Sequence, residues 1–391
     1  MTAFPSRYVN LASARLRYGD RVDRLGPFLT KVDVPADRVV DAIEQLPKGD
    51  GWRLFERGLA GGSKAIATGP RAIRDLLDEV CDVPPWVDWH TCDRGGELLM
   101  RAGVLGGAVL GSGSLVLGYA SPGGNKPLVL SGRLKEQAMR RLNETARFVQ
   151  AVCQPGGMRP FADGWQITLK VRLIHAQVRR MILKTGTWDE RAYGAPINQH
   201  DMAGTTLLFS VAILDGLRKL GVRIESDEAE QYIHLWRWVG RVIGVDQDLL
   251  PVSEQDGMRL ADLIAATMGP PDQDSRDLTK ALFDAALDGA ETPKQKREAA
   301  RKVLFGTTLT RELVGDEMAD ALGVPRNKVR YAMPMVRRLV SSVGSFARAM
   351  PFAERSAIVA GTKYWSRVVE IGLQGATYEF TLPSRLGSLA A

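Results

Sequence analysis

Val171-Arg172-Leu173-Ile174-His175-Ala176-Gln177-Val178-Arg179-Arg180 is the stretch that organises the rest of the chain. Arg172, His175 and Arg179 stand at i, i+3 and i+7, so on a helix they line one face, and Thr168 extends that face by a turn. The helix is expected over about 165–184, with Asp163 as a cap and Gly186 as its stop. An imidazole between two guanidiniums makes a poor ion-pair arrangement if it is protonated. It makes sense if the histidine is neutral and the arginines meet anions. A haem supplies both, since its iron takes a neutral imidazole nitrogen and its propionates take arginines. A solvated basic helix face with an ordinary histidine fits the same ten residues.

Helical periodicity continues in both directions. Upstream, Ser131 opens a helix to about Cys153, stopped by Pro155-Gly156-Gly157. Downstream, Asn198 or Asp201 starts an apolar helix through Leu220, and Gly221 ends it. Asp227 with Glu230 forms a capping-box-like start for a helix over about 228–243. Further helices are expected over 254–268, 275–286, 292–305, 311–321, 326–350 and 352–373, with one short strand at 378–381 in an irregular arm. The fold class is all-α, without internal repeats. The chain reads as one large helical domain: an N-terminal helical extension over 1–94 packed outside, a core over 95–350, and a C-terminal helix and arm over 351–391.

Composition narrows the function classes. The 391 residues are 45% hydrophobic and 25% charged, which excludes a disordered or collagen-like chain. Lys plus Arg number 52 against 45 for Asp plus Glu, a net charge of +7 spread along the chain. That balance permits an anionic partner without demanding one, and a modest excess spread along the chain does not call for nucleic acid, which usually meets concentrated charge. Cys81, Cys92 and Cys153 cannot build a disulfide framework, and without C-x-x-C spacing a structural zinc site or an iron–sulfur cluster is not expected. Arg7, Arg15, Arg17, Asp20, Arg21, Asp23 and Arg24 interrupt any apolar leader, so a cytoplasmic setting is expected. Residues 102–125 carry no charge, and hydropathy alone would mark a membrane span there. Their glycines and Pro122 argue instead for a buried, small-faced helix followed by a turn, with no span.

The four histidines, His90, His175, His200 and His234, include no i, i+4 pair and no facial-triad pattern, so a multi-histidine metal centre is not expected. His234 shares a helix face with Arg237 and Arg241 and is a second candidate imidazole. Arg141 and Thr145 share a face at i, i+4, with Glu144 a quarter-turn away. Thr205-Thr206 interrupts an otherwise apolar run, and such a threonine can simply bond back to its own helix.

Four motifs in order, R-x-x-x-T (Arg141 to Thr145), R-x-x-H-A-x-V-R (Arg172 to Arg179), Thr206, and W-x-x-V-G-x-x-x-G-V (Trp236 to Val245), resemble the latex clearing protein and rubber oxygenase family over about 95–350. The resemblance implies a b-type haem in a helical core related to the globin fold. It makes His175 the proximal iron ligand, with Arg172 and Arg179 flanking the cofactor and Thr206 as a pocket threonine. It places Arg141, Glu144 and Thr145 on the distal, catalytic side. It implies dioxygen as co-substrate and oxidative cleavage of a carbon–carbon double bond.

Two departures stand out. Some relatives carry a lysine immediately before the distal threonine, where this chain has Glu144, and an acidic residue further upstream has no counterpart in 121–126. A carboxylate at 144 is either a base near bound oxygen or a surface partner of Arg140 or Arg147. Without an export leader, a small apolar or prenyl-type alkene is a better expected substrate than a polymer. The alternatives are a peroxidase-like or hydroxylating haem enzyme, a haem-binding gas sensor without turnover, and a basic helical interaction protein without cofactor.

Overall fold

The computed structural model describes residues 4–130, 138–287, 290–348 and 350–373. Among them there is no β-strand, and the one isolated bridge joins Tyr8 to Met268. The all-α reading therefore stands. The proposed start at Ser131 and the strand at 378–381 lie outside the described residues. Counting helices of nine residues or more, α1 is Val34–Glu44, α2 Asp50–Gly61, α3 Arg71–Cys81 and α4 Trp89–Val109. Next come α5 Ala138–Cys153, α6 Asp163–Lys184, α7 Gln199–Phe209, α8 Val211–Lys219 and α9 Ser226–Val242. They are followed by α10 Glu254–Ala266, α11 Gln273–Asp284, α12 Pro293–Val314, α13 Met333–Arg348 and α14 Pro351–Leu373.

Several boundaries follow from local chemistry. Asn198 caps α7 by accepting the amide of Asp201. The apolar run beyond it is two helices, because Ser210 leaves the helical region and parts α7 from α8. The capping box of α9 is Glu225 with Glu228, two residues before the expected pair. The expected break between 305 and 311 is absent: α12 runs on to Val314, and within it Thr307 and Thr308 donate their hydroxyls to the carbonyls of Val303 and Leu304 at 2.9 and 2.7 Å.

Helix α4 is the spine, packed between α9 and α14. Small residues bring these neighbours close. A methyl group on Gly95 would strike the carbonyl of Gln231 in α9, and one on Gly361 in α14 would strike the carbonyl of Met100. Trp89–Tyr119 is long and apolar enough to cross a membrane by length and composition. In the structure its first part, α4, packs against α9 and α14, and Gly103 lies against the backbone of Gly361, as expected of a glycine that admits another backbone.

From α1 onward, the N-terminal helices share the core rather than packing outside it. Val39 and Val40 of α1, Phe55 and Leu59 of α2, and Ile73, Leu76 and Leu77 of α3 belong to the same buried cluster as residues of α4, α5, α6 and α9. The amphipathic faces of these helices are apolar enough to complete the core and cover α6. The earliest residues, with Tyr8, Val22, Leu25 and Leu29, form a separate cluster with Met202, Ala203 and Leu263.

Candidate active site

The site is built on α6. Burial first, then the charge of Arg179, depresses the pKa of His175 from 6.5 to about 4, while Asp33 opposes weakly. The imidazole is neutral near pH 7 and keeps a lone pair to offer. Its Nδ1 is buried without a hydrogen-bond partner among the described residues. Such a nitrogen costs free energy unless something else is bound there.

The arginines beside it do meet anions, but the anions are the chain's own. Arg172 donates from Nε to Oδ2 of Asp33 at 2.7 Å and from Nη2 to Oδ1 at 3.0 Å, with Glu79 3.3 Å away. It also reaches the carbonyl of Val242 at 3.3 Å. Arg179 grips Asp37 at 2.7 and 3.0 Å and donates to the carbonyl of Ile197 at 2.8 Å. This corrects the propionate reading. A buried guanidinium needs its counter-charge in the fold, and α1 supplies it. Burial, partly offset by Arg179, raises the pKa of Asp37. Gly244 is part of the same joint. Its φ of 91° suits glycine, and a methyl group there would strike Asp33 and Arg172. Sequence reading missed Asp33, Asp37 and Glu79, and no spacing links residue 33 to residue 172.

The expected distal residues lie on α5, which packs against α6. Arg141 and Thr145 are half-buried, and the Arg141 guanidinium approaches the carbonyl of Leu128 at 3.5 Å. Glu144 takes its bland alternative, accepting from Arg140 Nε at 2.9 Å. Thr206 is buried on α7 and donates to the carbonyl of Met202 at 3.0 Å, while its methyl faces Gly240 of α9. Helix α9 touches both α6 and α7, so the four motif helices form one contiguous group.

The other imidazoles compete poorly. His234 already accepts the Asp88 amide on Nε2 at 3.1 Å and stands edge-on to Trp86. His90 is exposed. His200 is buried with both ring nitrogens lacking a hydrogen bond, but it sits in the N-terminal cluster, edge-on to Tyr8 and 3.5 Å from Asp201. Among the described residues no group of three or more His, Cys, Asp or Glu could hold a metal ion. A single buried, neutral imidazole is a donor that would fit a prosthetic group carrying its own ring of ligands.

The chain matches the family described as "ER-bound oxygenase mpaB/B'/Rubber oxygenase, catalytic domain" over residues 98–353. It belongs to that family. This mpaB/rubber oxygenase family member is an oxygenase, and hence an oxidoreductase. It is 24% identical over 307 residues to the rubber oxygenase of Streptomyces sp. (strain K30), covering 74% of this chain and 67% of that one. The fold is similar to latex clearing protein LCP in the closed state, with a TM-score of 0.67 and 18% identity, covering 88% of this chain and 91% of the other.

Proposed function

We propose that this family member is a haem-b-dependent oxygenase acting with dioxygen on a small apolar or prenyl-type alkene, by oxidative cleavage of its double bond. The observation that carries the reading is His175: neutral, with a buried Nδ1 that has no hydrogen-bond partner among the described residues, on a helix inside the family match. His175 would hold the iron, and the haem would supply dioxygen binding and its reduction chemistry.

The chain's own residues then divide the work. Asp33, Glu79 and Asp37 neutralise Arg172 and Arg179, which fixes α6 and with it the imidazole. Arg141 offers a charged donor and Thr145 a hydroxyl on the neighbouring helix, suited to orienting a polarised oxygen species. Thr206, with its hydroxyl tied back to Met202, presents a methyl, and so contributes shape rather than a proton. Glu144, half-buried and held by Arg140, is an ion-pair partner rather than a base in this reading. Three free cysteines suit a reducing cytoplasm.

The test is spectral. Purified protein should show a Soret band that shifts on dithionite reduction and about one haem per chain. His175→Ala should abolish both while far-UV circular dichroism is kept, and His200→Ala and His234→Ala should retain them. A fully haem-loaded His175→Ala protein would refute the assignment. Oxygen uptake with a prenyl alkene, yielding carbonyl products, then separates an oxygenase from a sensor without turnover.

A further inference from the structure

The face of α13 away from the core is apolar yet exposed. Met333 is buried, and one turn on Arg337 pairs with Glu312 of α12, so this side holds the helix to the body. Met335, Leu339 and Val343 follow at i, i+4 and i+8 on a second face and are 75%, 64% and 60% exposed. Tyr331, just before the helix, is 81% exposed. Isolated apolar side chains on a surface are ordinary, but a continuous stripe of this kind is not.

The stripe runs into a basic one. Thr308 of α12 bonds Asn327 at 2.8 Å and Glu312 meets Arg337, so that side of α12 looks toward the 327–337 segment. Arg301, Leu304 and Phe305 lie seven, four and three positions before Thr308, on the same side, and all are exposed. Lys294, Lys296, Arg297, Arg301 and Lys302 are exposed and have no ion pair among the described residues. Lys328 and Arg338 border the apolar stripe, also without one. Between Arg326 and Phe352 the chain holds no aspartate or glutamate. An apolar centre edged by unpaired cations that outnumber the exposed acids among them, Glu291 and Glu298, is complementary to a surface that is anionic outside and hydrocarbon beneath.

We propose that α13, with the basic half of α12, is a docking surface for an anionic lipid bilayer. Met335, Leu339 and Tyr331 enter the headgroup boundary while Arg301, Lys302 and Arg338 meet lipid phosphates. The proposal is independent of the haem reading and concerns peripheral contact, not a span.

The test is flotation of the full chain with vesicles of phosphatidylcholine alone and of phosphatidylcholine with phosphatidylglycerol. Binding to the anionic vesicles only, weakening with salt, is expected. Arg301→Gln with Lys302→Gln should weaken it roughly fivefold per cation. Met335→Ser with Leu339→Ser should weaken it at least tenfold, with unchanged circular dichroism because both side chains are exposed. Absent binding, equal binding to neutral vesicles, or full binding by the serine variant would overturn the proposal. So would a dimer in solution that Leu339→Ser dissolves, which would mean that a second copy covers this face.

Discussion

Asp33 lies 2.7 Å from Arg172, and both side chains are at most 3% exposed. The same aspartate caps α1, its Oδ1 accepting the amide of Ala36 at 3.3 Å. One carboxylate thus starts the first core helix and anchors the helix that carries His175. Removing one member of a buried pair leaves the other charge stranded. Asp33→Ala is expected to cost about 3–5 kcal/mol, measured by urea unfolding. Asp33→Ala combined with Arg172→Met should recover part of that loss, since no buried charge then remains.

Arg7 and Asp201 form a second joint, between the N-terminal segment and α7. Burial works against the Asp201 carboxylate, but Arg7 and then His200 outweigh it, lowering its pKa from 3.8 to about 2. The folded pKa is below the unfolded one, so the stabilisation is full above pH 3.8 and is lost as pH falls toward 2. Asp201→Asn should flatten the stability curve in that window, as read by denaturant midpoints across pH.

The distal assignment separates turnover from haem retention. Arg141→Ala and Thr145→Ala should keep about one haem per chain and slow oxygen uptake at least tenfold, because one preorganised donor is typically worth about 3 kcal/mol of barrier. Glu144→Gln should change uptake by less than tenfold and stability by about 0.5 kcal/mol or less, since its i, i+4 partner Arg140 is more than a third exposed. A large loss in Glu144→Gln, or normal uptake in Arg141→Ala, would relocate the distal side.

The crossing of α4 and α14 depends on absent side chains. Gly361→Ala would force a methyl into the Met100 carbonyl and should destabilise by about 1–3 kcal/mol, seen as a lowered melting temperature with the fold retained.

The sequence alone determined the all-α class, the stop of α5 at Cys153 before Pro155, the C-terminal end of α6 at Lys184, and the motif order that points to His175. These depend on turn chemistry and helical spacing, which act within a few residues. It was less reliable at Ser210, at Thr307-Thr308 and at the α9 capping box, where competing local bonds differ by little free energy.

Only the tertiary structure decided what Arg172 and Arg179 hold. Their partners are 139 and 142 residues away, on an N-terminal segment that sequence reading had set outside the core. The chemistry of an arginine demands an anion but cannot say whether a cofactor or a distant aspartate provides it. That choice rests on which helix the packed core brings alongside, and the apolar faces of α1 and α3 brought Asp33, Asp37 and Glu79.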